Sequence, residues 1–584
     1  MPVSLLQDSS LLAVNVGASS TRAVLFDVVE GQYRFIASGQ APSTAEAPFK
    51  DISLGVNQAI SNLQKVTGKI LLDQNSQLIT PVQGDGSGVD SFAATLSAGP
   101  ALRAVVVGLL SEVSVQSAQR LAETTYLQVI ETFGLNDQRK PDEQIDAILR
   151  AHPDVIILTG GTDGGASRSV QNLVESVGLA CYLMPEEKRP AILFAGNQSL
   201  TSSLKTSLEK LTPSLHFSSN VRPSLDTEDL VPASRELAQV FSDVRKRQMP
   251  GVDGLAAWTG GRILPTAYAE GRIIRFLSQM NGASRGILGV DIGTTAAVVA
   301  AGFNGKLTLG VYPQFGLGDN LPGLLRYTEL EDIIRWLPLD IAPSVVRDYL
   351  YQLSLCPGTI PATKEDHAIV HAISRQALYL AMQEARRNFP AEARLIKKDL
   401  MPLFEPILAG GGAVSDSPTP GQSLLLLLDA LQPVGITSII LDQNNLLPLL
   451  GVAAEFNQLM PVQVLESGAF MSLGTIVSVI SPASYGLPVL RARLTYEDGT
   501  EANAEVKFGG LELLPLAMGQ TARLALQPLQ RSDIGNGPGR NAAVQVAGGA
   551  MGVVIDARGR PLVLPEDPVR RRELFKKWLW SVGG

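Results

Sequence analysis

The chain has 584 residues, 45% hydrophobic and 18% charged, which supplies material for sizeable cores and excludes a disordered polymer. Its formal net charge of −8 argues against global attraction to nucleic acid or to an anionic membrane. Two cysteines, Cys181 and Cys356, exclude a disulfide scaffold and a cysteine-rich metal site, and they suit a reducing cytoplasm.

In chain order, "MPVSLLQDSSLLAVNVG" has neither a basic start nor a long apolar core, so no signal peptide is expected. "LLAVNVGASSTRAVLFD" (11–27) predicts a strand, a tight polar loop and a second strand, with a third strand after "EG" at 30–31. A helix over 55–68 and a buried strand over 102–110 follow, then a helix over 114–134. "PDVIILTGGTDGG" (153–165) reads as a buried strand ending in glycines, and "RPAILFAGN" (189–197) as another buried strand. Residues 223–283 read as mainly helical. A second hairpin occupies 288–313, turning at "NG", a strong hairpin signal. A long helix is predicted over 363–387, and "EPILAGGGAV" (405–414) is a further strand ending in glycines. The richest apolar run, 423–442, is broken by Asp429, Pro433 and Gly435 and reads as a helix followed by a strand, not as a membrane span. From about 485 the pattern alternates around "EDG" and "RG", which predicts a small β barrel or sandwich closed by a basic helix with Trp578 and Trp580.

The opening hairpin has a partner. "LAVNVGASSTRAVLFDVVEGQYRFIASG" (12–39) aligns with "LGVDIGTTAAVVAAGFNGKLTLGVYP" (288–313). Each is followed by a strand ending in glycines, at 153–165 and 405–414, so the order of landmarks occurs twice. Two similar halves facing each other would form a cleft.

Turns rich in Gly, Ser and Thr aim backbone N–H groups and hydroxyls at one spot, which makes them candidate anion nests. The candidates are Asn15, Gly17, Ser19, Ser20 and Thr21 in the first hairpin, and Gly293, Thr294 and Thr295 in the second. Asp291 ends the first strand of the second copy, where a carboxylate can hold Mg²⁺ or orient a water beside a phosphate. Gly410, Gly411 and Gly412 would let a flat ligand lie on bare backbone. Tight β-turns and a close helix–strand contact account for the same residues without a ligand. The "TGGTDGG" loop fits either a ligand or metal site or a structural counterpart of 408–414. His367 and His371 are four apart on a helix, without "HExxH" or a third ligand, and read as a helix-surface pair. The fingerprints of serine hydrolases, P-loops and dinucleotide folds are missing.

These residues resemble the superfamily of actin, sugar kinases and heat-shock chaperone ATPases, in which two ribonuclease-H-like halves enclose a nucleotide. "NVGASST" (15–21) matches its first phosphate loop, "DIGTT" (291–295) its second and "LAGGGA" (408–413) its adenosine motif. A closer resemblance is to the MutL or GlmL family, accessory proteins of cobalamin-dependent glutamate mutase that are unrelated to mismatch repair. It rests on "SAGPALRAVVVGL" (97–109), "PDVIILTGGTDGG" (153–165), "ILFAGN" (192–197), "GVDIGTT" (289–295), "RWLP" (335–338) and "GTIPAT" (358–363), and it covers roughly residues 10 to 480.

The resemblance implies an α/β protein of two ribonuclease-H-like halves, to which the alternating pattern after about 485 adds a small C-terminal all-β domain. The expected division is 1–222 and 285–484 for the halves, a helical linker at 223–284, and the β domain with its terminal helix at 485–584. It also implies ATP as cofactor and a client mutase as partner; Mg²⁺ is expected from the carboxylate of Asp291, and a cytoplasmic location from the cysteine usage. Asn15 departs from the family's aspartate. An amide cannot supply charge to a Mg²⁺ shell or act as a base, so slow hydrolysis at most is expected, with Asp291 as catalytic and metal-binding residue. A pseudo-ATPase scaffold and a small-molecule kinase or ATP-dependent hydrolase stand as alternatives.

Overall fold

The computed structural model describes residues 9–280, 285–393 and 395–584. The first eight residues, part of the signal-peptide expectation, and the last four of the predicted linker lie outside the described residues. The chain divides into two compact units. One runs to Asp27 and holds Ile36–Ala269 and Gly310–Pro313; the other holds Val28–Phe35, Glu270–Leu309 and Gln314–Gly584.

The elements reaching from the start of the chain to Met280 are β1 (Leu11–Val16), β2 (Ser20–Val29), β3 (Gln32–Pro42), α1 (Ile52–Thr67), β4 (Ser91–Leu96), β5 (Leu102–Val107), α2 (Gln116–Ala122), β6 (Leu127–Phe133), α3 (Pro141–Ala151), β7 (Val155–Leu158), α4 (Arg168–Leu183), β8 (Ala191–Phe194), α5 (Thr201–Leu208), β9 (Leu215–Phe217), α6 (Val231–Gln248), α7 (Val252–Trp258), β10 (Ile263–Pro265) and α8 (Thr266–Met280). They build two sheets. The first has the order β10-β4-β1-β2-β3, with β1 antiparallel to β2 and parallel to β4. The second has the order β6-β5-β7-β8-β9 and is parallel throughout. Its middle strands read LRAVVV, VIIL and AILF, nearly unbroken apolar runs, because helices cover both faces of a parallel sheet. Ile148 of α3, Val174 and Val177 of α4 and Leu204 of α5 pack into that core. This second sheet is an insertion, since β4 and β10 are adjacent strands of the first.

The second unit continues with β11 (Gly286–Ile292), β12 (Ala297–Phe303), β13 (Lys306–Tyr312), α9 (Leu330–Ile334), α10 (Pro343–Leu355), α11 (Lys364–Arg386), β14 (Phe404–Gly410), α12 (Gly412–Ser415), α13 (Pro420–Leu431), β15 (Gly435–Leu441), α14 (Leu446–Ala453), α15 (Leu459–Glu466), β16 (Met471–Ser478), β17 (Pro488–Tyr496), β18 (Glu501–Lys507), β19 (Leu511–Leu514), β20 (Thr521–Pro528), β21 (Ala542–Ala547), β22 (Val553–Asp556) and α16 (Pro568–Ser581). Its main sheet has the order β13-β12-β11-β14-β15-β16-β22-β19. The first five strands repeat the plan β3-β2-β1-β4-β10 of the first unit, with the same antiparallel hairpin and the same parallel neighbour. A four-stranded antiparallel sheet, β18-β17-β20-β21, forms the additional β domain. Leu490, Leu494 and Leu524 of that sheet share one core with Val477, Val553 and Ile555 of the main sheet.

Several expectations change. The strand at 153–165 is not the counterpart of 405–414. It lies in the inserted sheet, and β4 occupies the place beside β1 that β14 occupies beside β11. Residues 127–133 form an edge strand rather than the end of a helix, pairing with β5 through "LQVIETF". The mainly helical segment 223–283 contains the short strand β10. The sequence around "RG" is not a hairpin: β21 and β22 belong to different sheets, and the chain after Asp556 runs without further strand.

Candidate nucleotide site

The two hairpin turns are built alike. Gly17 N donates to Ser20 O and Gly293 N donates to Ala296 O, both at 3.0 Å. Asn15 pairs with Arg22 across the first hairpin and Asp291 with Val298 across the second, so Asn15 and Asp291 hold equivalent positions.

Their surroundings differ. Asn15 is 6% exposed, and its Oδ1 accepts from Thr95 Oγ1 at 2.8 Å and Thr266 Oγ1 at 2.9 Å. The amide is thus bonded to β4 and to the start of α8. Gly17, Ser19 and Ser20 are half-buried in the turn, and Ser19 O accepts from Ser43 N at 3.0 Å. Thr21 is buried with Oγ1 unpartnered.

In the second unit, the sheet register sets Asp291 beside Gly410. A Cβ on Gly410 would lie 3.0 Å from Asp291 Oδ2, and one on Gly293 would lie 3.2 Å from Oδ1. Two glycines therefore clear the space around this carboxylate. Gly411 has φ +93°, and a Cβ there would meet Ile292 O at 2.3 Å, so its glycine is required by the backbone alone. Gly412 is exposed, and a Cβ on it would meet only Asp416 Oδ2, at 3.4 Å. Thr294 and Thr295 are half-buried, with Gly316 and Gly318 packed closely against their backbone. The second unit thus brings Asp291, Gly293, Thr294, Thr295 and Gly410–Gly412 to one place. Asn15, Gly17, Ser19, Ser20 and Thr21 form a separate cluster in the first.

Asp291 interacts electrostatically with two further acids. Burial first, then the charge of Asp442, pushes Asp291 up to about 7. Glu270 on α8, 3% exposed, is raised well above the usual carboxylate range by burial and by Asp291 and Asp442. Asp442 follows β15 and caps α14, accepting from Leu446 N and Leu447 N at 2.8 Å each. Sequence reasoning missed both. Asp442 had a signal, since "IILD" ends a buried strand in aspartate as "VD" does at 291. Glu270 sits on the apolar face of α8 with Ala267, Ile273 and Ile274, where nothing local sets a glutamate apart.

The fit to a magnesium nucleotide rests on this donor set. Among the described residues no group of three His, Cys, Asp or Glu side chains is placed to hold a metal ion directly. One half-buried carboxylate flanked by bare backbone instead suits Mg²⁺ that keeps its waters and phosphate oxygens. His367 and His371, with rings 6.3 Å apart, form no such site either. His371 is 7% exposed, so the surface reading fails for it.

The repeated five-stranded plan defines the actin-like ATPase fold class, with an inserted parallel layer and an added β domain. A family model described as "MutL protein" matches residues 11–468, and the chain belongs to that family. Protein MutL of Clostridium tetanomorphum is 24% identical over 287 residues, covering 48% of this chain and 55% of that protein, so the match spans about half of the relative. Among solved structures, the chain is similar to an ATP-dependent caprolactamase from Pseudomonas jessenii, at 11% identity and TM-score 0.32 over 85% of this chain and 81% of that one. It is also similar to a diol dehydratase-reactivating factor in nucleotide-free form, at 10% identity and TM-score 0.31 over 77% and 100%. Among the described residues no helix is long and apolar enough to cross a membrane.

Proposed function

We propose that this protein binds ATP with Mg²⁺ and serves as an accessory or reactivating factor for a cobalamin-dependent mutase such as glutamate mutase. The observation that carries the reading is the family match over 11–468. The nucleotide part draws support from Asp291 standing between Gly293 and Gly410.

In this reading Mg²⁺ supplies charge neutralisation to the bound phosphates. Asp291 receives the hydrated ion, and the turn at Gly293–Thr295 offers amides and hydroxyls to phosphate. The exposed backbone at Gly412 leaves room for a flat base. In the first unit, Gly17, Ser19 and Ser20 offer a second anion nest, while Asn15 contributes no charge. Metal handling therefore falls to Asp291, and turnover is slow.

Isothermal titration with Mg-ATP tests this. Asp291→Asn is expected to weaken affinity by about tenfold or more, a loss near 1.4 kcal/mol, and Asn15→Ala by less. No heat at millimolar nucleotide would favour the scaffold reading. Turnover stimulated by a mutase supports the accessory role, whereas turnover that needs only a small substrate overturns it.

A further inference from the structure

The C-terminal helix α16 lies outside the matched family region and presents two unlike faces. Inward, Phe575 meets Trp336 at 6.1 Å and Trp578 at 5.2 Å between ring centres, both edge-on. Trp578 Nε1 donates to Gly509 O at 3.1 Å. The helix is therefore fixed to its unit, and its fixed side covers the "RWLP" segment.

Outward, the helix carries Val569, Glu573, Lys576, Lys577 and Trp580 at helical spacing, all exposed, with Trp580 at 83%. Five cations, Arg570, Arg571, Arg572, Lys576 and Lys577, face a single acid within the helix, Glu573, in a chain of net charge −8. Few of them are neutralised. Arg572 pairs with Asp340 at 3.1 Å, and Asp340 is itself open to water. Arg571 spends its donors on the carbonyls of Pro565 and Glu566 at 3.2 and 3.4 Å. Arg570 lies over the Tyr485 ring at 5.9 Å. Lys576 and Lys577 make no ion pair among the described residues. Arg335 of "RWLP" adds another cation; it pairs with Asp332 at 3.4 Å and donates to Gln376 Oε1 at 3.2 Å, while its Nε is buried without a partner. Burial, and then the positive charges of Arg572 and Arg335, pull the Arg571 guanidinium below its ordinary value.

We propose that the outer face of α16, with Lys576, Lys577 and Trp580 at its centre and Arg335, Arg570 and Arg572 at its margin, docks an acidic segment of a partner protein. Like charges crowded together, with an exposed tryptophan among them, lack only an anion and an apolar contact. Arginine and tryptophan are also the side chains that concentrate binding energy in protein interfaces. A lipid surface fits less well, because the helix turns most of its apolar side chains inward and leaves only Val569 and Trp580 outside. This inference does not depend on the nucleotide reading.

The test uses the full chain and a fluorescein-labelled peptide of repeated Glu-Glu-Leu. Binding that weakens at least about tenfold between low and high salt, and again at least about tenfold in Lys576→Glu/Lys577→Glu, supports the proposal. Trp580→Ala should weaken it too. These side chains are exposed, and unchanged circular dichroism and melting temperature verify that the variants fold. No binding of the peptide, or equal binding by the charge-reversed variant, overturns the proposal. Sedimentation with phosphatidylserine vesicles in the absence of peptide binding overturns it in favour of a lipid surface.

Discussion

Glycine acts in two ways at the end of β14, and two substitutions separate them. Gly411 holds φ +93° against the Ile292 backbone, so Gly411→Ala forces strain or movement of β11. A loss of about 2 kcal/mol or more in urea unfolding is expected, and a smaller loss would mean that the loop relaxes freely. Gly412→Val meets only Asp416 Oδ2, in ordinary contact at 3.4 Å, and should leave stability within about 0.5 kcal/mol while lowering nucleotide affinity. Unchanged affinity would remove Gly412 from the site. His371 offers a pH test at the same scale. Burial, then Arg375 and His367, holds its imidazole down at about 3, and it shares a 3.2 Å hydrogen bond with Ser417. Its folded value lies below the ordinary 6.5, so the unfolded chain binds the proton more readily. Stability from this group is full above pH 6.5 and is lost as pH falls toward 3, by up to about 1.4 kcal/mol per unit. His371→Gln should flatten the fall in melting temperature between pH 6.5 and 4.5, and an unchanged slope would show that other groups carry it.

Among the elements, α11, α13 and β22 are joined by a buried charge network. Asp429 of α13 accepts from Arg375 of α11 at 2.9 Å and from Arg558 at 2.6 Å, and Asp556 at the end of β22 binds Arg558 and Arg560 at 2.9 and 2.6 Å. The two guanidiniums hold Asp556 far below the usual carboxylate range despite its burial. Asp429→Ala leaves Arg375 and Arg558 buried without that shared anion, and a loss of about 3–5 kcal/mol is expected in denaturant unfolding. A loss under about 1 kcal/mol would mean that water enters. Elements of this kind differ in how plainly the sequence announces them. Both hairpins were legible because Gly, Ser and Thr interrupt β-branched runs, and α11 because its apolar residues recur on one face; the capping box of Thr363 and Asp366 was seen only in the structure. The true neighbour of β1 was hidden because β4 is followed by "SAGP" and not by a glycine pair, while a glycine pair after β7 imitates the end of β14. Strand β10 is three residues long, too short for periodicity, and the network around Asp429 joins residues far apart in sequence.

Over the whole chain, the C-terminal hundred residues are not an appendage. β22 pairs with β16 in parallel, β19 pairs with β22, and Trp578 lies over Arg558 at 4.9 Å. Truncation after residue 484 would strip β16 of β22, leave it paired with β15 alone and expose an apolar edge. Such a chain should aggregate or melt without a cooperative transition, and a soluble product with the parent's melting temperature would sink this view. The insertion in the first unit has a temporal consequence. β4 cannot meet β10 until the whole parallel layer between them has been synthesised. During translation from the N-terminus, the inner layer emerges complete while the sheet that brackets it still lacks an edge. The inserted layer can fold as a unit on the ribosome, and the older-looking hairpin sheet is the one that must wait.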